Sequence, residues 1–289
     1  MSAFETMENL VDNVISTLAD KGVRRSLLTF GGPGEVPKKI TIPTDARSEF
    51  LANRAMGDWA ENALAKALGV AKEIIRVVSY GDSDRMAAGE PGFRDFYMAR
   101  LDEVRLHGKR PDLLLFTPGS CDEGNLSTKT FEEVDDIVKT AIGGIEVRSS
   151  KFEADKYIAV RLSERKSGKA TARETPSFTV KVEDLRIVYR WIQQYQLPQV
   201  YCQVFFDSAY VINFAKIFDI IASGCGFTIE TPAKSQLKST IMIPITSGNR
   251  IGTMDSMPSF KAEERITRLG RHDAYVVPKG GELRVDSAE

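Results

Sequence analysis

The chain has little of what several kinds of chemistry require. No run approaches the roughly 18 apolar residues needed to span a bilayer, and Met1-Ser2-Ala3-Phe4-Glu5 lacks the basic flank and apolar stretch of a secretory leader. A cytoplasmic protein without a membrane partner is expected. Three cysteines, Cys121, Cys202 and Cys225, form no C-x-x-C pair, which argues against a disulfide framework and against a thiolate zinc site. The two histidines, His107 and His272, have no ligand-type partners nearby in sequence, so a His-rich metal site is excluded. There is no internal repeat and no low-complexity tract. An excess of one charge is also missing: 39 Lys and Arg against 40 Asp and Glu leave a net charge of −1. That balance does not exclude a nucleic-acid partner, because a specific site needs a basic cleft rather than a basic whole. Hydrolytic chemistry, if present, falls to carboxylates and lysines.

What is present suits a compact enzyme. A chain of 289 residues with 42% hydrophobic and 27% charged residues can bury a large core. Met7, Leu10, Val11, Val14, Ile15 and Leu18 recur at helical spacing and predict an amphipathic helix over 5–21, stopped by Gly22. Glycines and prolines make 31–37 a loop. A helix follows over about 48–68, a β-branched strand over 74–79 and a helix over 93–106. The segment 131–138 has helical spacing with an acidic, solvated face, and 157–162 suits either helix or strand. Val211 to Ala222 is an apolar element of core character, and 240–246 a strand.

Pro111-Asp112 opens the apolar run Leu113-Leu114-Leu115-Phe116, and a second strand-like run follows at Gly144-Ile145-Glu146-Val147-Arg148-Ser149-Ser150. Side chains alternate along a strand, so Glu146 and Arg148 share one face while Ile145 and Val147 share the other. Two short strands then deliver one carboxylate each to a common edge. Glu146 inside an apolar strand is costly to bury without a cation or metal. Asp112 has an alternative reading as a strand-entry turn residue, Arg148 as an ion-pair partner of either acid, and Glu61 as a polar-face residue of its helix.

These residues resemble the PD-(D/E)XK nucleases, and within them the type II restriction endonucleases of the AccI-type group. The resemblance runs from about Gly57 to Asp207. It includes Gly57-Asp58-Trp59-Ala60-Glu61, similar to the helix before the first catalytic strand, and the runs Phe178 to Leu185 and Pro198 to Asp207, similar to the helix and strand that complete the core. It implies an α/β fold with a mixed central β-sheet flanked by helices. The implied layout is one restriction-endonuclease-like domain, its core at about 48–222, with additions over 1–47 and 223–289. The implied activity is Mg²⁺-dependent hydrolysis at a specific double-stranded DNA sequence, with Mn²⁺ able to substitute, and a homodimer matching two-fold sites. Asp112, Glu146 and the main chain of Val147 would hold the metal, with Glu61 as an added carboxylate. The family's lysine position is occupied by Arg148, which cannot accept a proton, so Arg148, Lys181 and Lys151 are the candidate cations. Two rival readings stay open: a structure-selective repair or recombination nuclease of the same superfamily, and an inactive DNA-binding protein on this core.

Two basic stretches are candidate DNA contacts. The segment 163–176 reads as a loop carrying Arg165, Lys166, Lys169 and Arg173, with only Glu164 and Glu174 to pair them locally. Near the end of the chain Arg265, Arg268 and Arg271, spaced by three, would line one side of a helix.

Overall fold

The computed structural model describes residues 3–28, 46–81, 86, 88–168, 173–231, 238–267 and 269–286. In chain order the helices are α1 (Ala3–Asp20), α2 (Ser48–Leu68), α3 (Phe93–His107), α4 (Phe131–Val138), α5 (Ala154–Lys166), α6 (Val182–Tyr195) and α7 (Phe214–Ala222). The strands are β1 (Arg76–Ser79), β2 (Leu113–Phe116), β3 (Gly143–Ser149), β4 (Ser177–Lys181), β5 (Gln199–Val204), β6 (Ser208–Asn213), β7 (Thr228–Glu230), β8 (Thr240–Pro244), β9 (Asn249–Ser256), β10 (Ser259–Ile266), β11 (His272–Lys279) and β12 (Glu282–Val285).

The central sheet has the order β1-β2-β3-β5-β6-β9-β12. Its neighbours are antiparallel except β3 and β5, which run parallel with Glu146 opposite Tyr201 and Arg148 opposite Gln203. A parallel pair needs a long crossover, and here it passes through α5, β4 and α6. The strands β4, β8 and β7 make a small second sheet, and β10 pairs with β11 in a separate hairpin.

Alternation along β3 sorts the core into two layers. Ile145 and Val147 join Leu113, Cys202 and Val204 against Met56, Trp59, Ala60, Ala63 and Leu64 of α2, whose i, i+3, i+4 spacing makes one apolar stripe. The other face of the sheet carries Tyr201 against α6, which turns Leu185, Val188, Trp191 and Ile192 inward. Behind it α7 packs on α1. Each large side chain removed from water here contributes on the order of 2 kcal/mol. The result is the expected mixed α/β sheet with helices on both faces. No helix among the described residues is long and apolar enough to cross a membrane.

Several local expectations change. The segment 157–162 is helical, and α5 continues through Lys166, so the basic stretch begins as helix rather than loop; Lys169 lies outside the described residues. Val211 to Ala222 divides, because Asn213 ends β6 and caps α7 by accepting the Ala215 N–H at 2.8 Å. Arg265 and Arg271 flank a hairpin turn rather than a helix, and pairing of β10 with β11 decides this where charge spacing suggested a helix face. Arg268 and the loop at 31–37 lie outside the described residues. At 178–185, β4 ends at Lys181 and α6 starts at Val182.

Gly108 fixes how α3 hands over to β2. It sits at φ 90°, and a Cβ there would strike the Trp191 backbone nitrogen and the Ile187 carbonyl. The close approach lets the next N–H, that of Lys109, bond to the Ile187 carbonyl at 2.9 Å. Gly108→Ala combines a left-handed backbone with a backbone clash and should lower unfolding free energy by at least about 2 kcal/mol. Urea unfolding monitored by circular dichroism checks this, and a change within about 0.5 kcal/mol would show that α3 and α6 are less tightly docked than described.

Candidate active site

Strand β2 stops pairing with β3 at Leu113 opposite Ile145. One residue earlier, the Asp112 side chain takes over the ladder: its Oδ2 accepts the Val147 N–H at 2.6 Å. The Gly144 and Ser150 N–H groups bond toward β5, to Pro198 and Val204. Val147 therefore turns both its N–H and its carbonyl toward β2. The Asp112 carbonyl is held from the other side by the N–H groups of Tyr80 at 2.9 Å and Gly81 at 3.1 Å. Two glycines permit this crowding. A Cβ on Gly144 would lie 2.7 Å from Pro111 Cγ, and one on Gly81 would lie 2.9 Å from Asp112 Cα and 3.1 Å from Oδ1.

Glu146 is 1% exposed and points to the α6 side of the sheet. Its Oε1 receives the Lys109 ammonium and, at 3.0 Å, Arg148 Nη2. Arg148 is itself held on two sides: Nη2 bridges to Asp184 Oδ2 at 2.6 Å, and Nε donates to the Tyr201 hydroxyl at 2.9 Å. Tyr201 passes the chain on to the Thr179 carbonyl at 2.9 Å. Asp184 stands in the first turn of α6, where the helix dipole favours a carboxylate. The second oxygen of Glu146, Oε2, is buried without a hydrogen-bond partner among the described residues.

The charges interact strongly. Burial pushes the Asp112 carboxyl up, the neighbouring Glu146 charge pushes it further, and Lys109 only partly offsets them, leaving it at about 7. Burial by itself would lower the Lys109 ammonium, but Glu146, with Asp112 and Asp184 behind it, outweighs that and raises it. Burial acts upward on Asp184, yet Lys109, Arg148 and Lys181 together hold it below the ordinary aspartate range. Burial likewise opposes the charge on Arg148, and Tyr201, Glu146 and Asp184 more than restore it.

The structure thus brings together Asp112, Glu146, Arg148 and the main chain of Val147. It places the other expected residues elsewhere. Lys181 is exposed at the end of β4, three residues ahead of Asp184, and Lys151 donates to Asn53 at 2.6 Å beyond the end of β3. Glu61 is half-buried on α2, the helix that covers the Ile145 and Val147 face, opposite to Glu146. In the basic stretch, Arg165 pairs with Glu174 at 2.7 Å and Arg173 with Glu230 across from β7; Lys166 is exposed. Arg165 thus takes one of the two local acids, and Arg173 finds a partner remote in sequence.

Lys109, Asp184 and Tyr201 are site residues that the sequence reading did not single out. Lys109-Arg110 directly precedes Pro111-Asp112, and two cations at the mouth of an apolar strand beside an acid carry a usable signal. They diverge: Arg110 turns away to grip Glu103 of α3 at 2.5 and 3.0 Å.

Among the described residues no group of three His, Cys, Asp or Glu is gathered as a metal cluster. The available donors are two carboxylates and a main-chain carbonyl. All are oxygen, the set preferred by hard cations, and Mg²⁺ commonly uses one or two carboxylates and completes its shell with water and phosphate. The orphaned Glu146 Oε2, a buried oxygen donor with no hydrogen-bond partner among the described residues, fits such an ion. A cleft of about 600 Å³ between α2 and the β10–β11 hairpin, with Arg54, Trp59, Lys66 and Lys279 in its walls, is lined by none of these donors.

The family model described as AccI restriction endonuclease matches residues 12–167 and 166–289. No curated protein matches the chain. No solved structure matches it either.

The raised Asp112 carboxyl has a measurable sign. The folded protein holds that proton more tightly than the unfolded chain, in which aspartate titrates near 3.9. Its contribution to stability is therefore greatest below about pH 4 and is lost as pH rises through about 7. Asp112→Asn keeps an acceptor for Val147 and removes the charge. It is expected to melt above the parent at pH 8 in EDTA and to lose that advantage by pH 4. A variant less stable than the parent at pH 8 would show that the buried charge is not a burden.

Proposed function

The chain belongs to the AccI restriction endonuclease family, and from that we propose that it hydrolyses phosphodiester bonds at a specific double-stranded DNA sequence in a Mg²⁺-dependent reaction of the PD-(D/E)XK type. The observation that carries this reading is the Asp112, Glu146 and Val147 junction: two buried carboxylates on adjoining strands, one oxygen of Glu146 unpartnered, and a main-chain carbonyl facing the same edge. Asp112, Glu146 and the Val147 carbonyl would hold the ion. When bound, a divalent ion lowers the pKa of a water and neutralises charge on the phosphate.

The chain's own residues supply the rest. The Asp112 carboxylate is aimed by the Val147 N–H, and Glu146 is aimed by Arg148, with the Lys109 ammonium paired to the same oxygen. Asp184 and Tyr201 hold Arg148 in turn, so the carboxylates are set before substrate arrives. Lys166, exposed on α5, and Lys169, outside the described residues, would contact phosphates, and the protein acts as a homodimer whose two-fold axis matches that of its site.

Incubation with phage DNA and Mg²⁺, followed by end mapping, tests the reading. Discrete fragments with 5′-phosphate ends are expected; a smear or nicking confined to branched DNA would favour a structure-selective nuclease. Asp112→Ala and Glu146→Ala should retain the parent's circular dichroism and lose cleavage. Parental turnover by either variant would remove the two-carboxylate site.

Lys166→Ala with Lys169→Ala should reduce the salt slope of DNA binding by about one unit per lost contact. An unchanged slope would leave both as ordinary surface lysines.

A further inference from the structure

Arg148 occupies the place where a lysine was expected, and its guanidinium is already committed to Asp184, Glu146 and Tyr201. Lys151 turns to Asn53, and Lys181, exposed at the end of β4, bears by charge on the Asp184 edge of the cluster. Lys109 is the lysine whose ammonium lies inside it, 8% exposed and paired with Glu146 Oε1.

A buried ammonium is a poor stabilising device. Taking two charges from water costs about as much as their attraction returns, and apolar residues of similar volume often serve better. Lys109 is nonetheless held in place from its backbone outward. Gly108 adopts φ 90° so that α3 can close on α6, and the Lys109 N–H bonds to Ile187. Its neighbour Arg110 shows the alternative, a cation turned outward to a structural partner on α3. Lys109 and Arg148 also share one oxygen of Glu146, which leaves Oε2 bare. A buried, positioned ammonium and an unpartnered carboxylate oxygen therefore lie side by side at the mouth between β2 and β3.

We infer that Lys109 is the catalytic ammonium of this site, binding the scissile phosphate as a charged hydrogen-bond donor, while Arg148 is a positioning residue that holds Glu146. The inference rests on the nuclease reading above. In the reaction a water oxygen bonds to phosphorus as the bond from phosphorus to O3′ breaks. One water proton ends on O3′ as the hydroxyl, and the other stays with the new 5′-phosphate. Lys109 keeps its proton and stabilises the charge on the non-bridging oxygens, where a preorganised donor in a site sheltered from water acts most strongly.

Charge and positioning predict different outcomes. Removing a cation beside the ligand oxygens relieves repulsion on an incoming metal, whereas removing a mere prop for Glu146 weakens metal binding. Lys109→Met and Lys109→Gln should therefore bind Mn²⁺, measured by calorimetry without DNA, at least as tightly as the parent. Their single-turnover cleavage of the parent's mapped site should fall about 10²-fold or more. Lys109→Arg, which retains the charge, should recover part of that rate. The Gln variant keeps an N–H on Glu146 and so preserves the fold should the Met variant not fold. Parental cleavage rates in Lys109→Gln would overturn the assignment. A loss of rate matched by an equal loss of Mn²⁺ affinity would overturn it too, making Lys109 a positioning residue. A parent protein that cuts no DNA with Mg²⁺ or Mn²⁺ would overturn the nuclease reading together with this one, whereas a parent that cuts beside an equally fast Lys109→Gln overturns this one alone.

Discussion

One hydrogen bond organises the site: the Val147 N–H, where the β2–β3 ladder runs out, is given to the Asp112 carboxylate instead of to a backbone carbonyl. A strand N–H left unpaired in the interior would cost about 1–3 kcal/mol. Asp112 meets that need with a side chain, and the two strands can part there. The parting keeps the Val147 carbonyl facing the opened edge and places a carboxylate beside it. The residues around it also accommodate the buried charge. Gly81 and Gly144 make room, Lys109 and Arg148 offset Glu146, and Asp184 and Tyr201 fix Arg148.

The two faces of the sheet divide the labour. On the side of α2, β3 contributes Ile145 and Val147 to an apolar layer. On the side of α6 the same strand contributes Glu146 and Arg148, and the helix meets them with Asp184 from its first turn while Trp191 and Ile192 carry the core further along. The charged cluster thus lies at the end of α6 nearest β4, where core packing gives way to charge.

Much of this was legible in the sequence. The α2 stripe, the apolar β2 run and the alternation of β3 are local patterns, and the structure follows them because burial on one or both faces dictates spacing. The proximity of Asp112 and Glu146 was legible as well, since both belong to such runs. Lys109 was not singled out because its burial depends on Gly108 docking against α6, whose residues lie far along the chain. Asp184 reads locally as a helix-start acid, and its partner Arg148 is on another element. The tail failed for a related reason: a three-residue spacing of arginines looks helical, but pairing between β10 and β11 is non-local and overrides it.

The position of a bound divalent ion decides whether these carboxylates form a metal site. Crystals grown with Mn²⁺, measured for anomalous scattering, locate it directly. A peak within coordination distance of Asp112, Glu146 Oε2 and the Val147 carbonyl is the predicted result. A protein that binds Mn²⁺ elsewhere, with the Asp112 and Glu146 carboxylates still held only by Val147, Lys109 and Arg148, would contradict it.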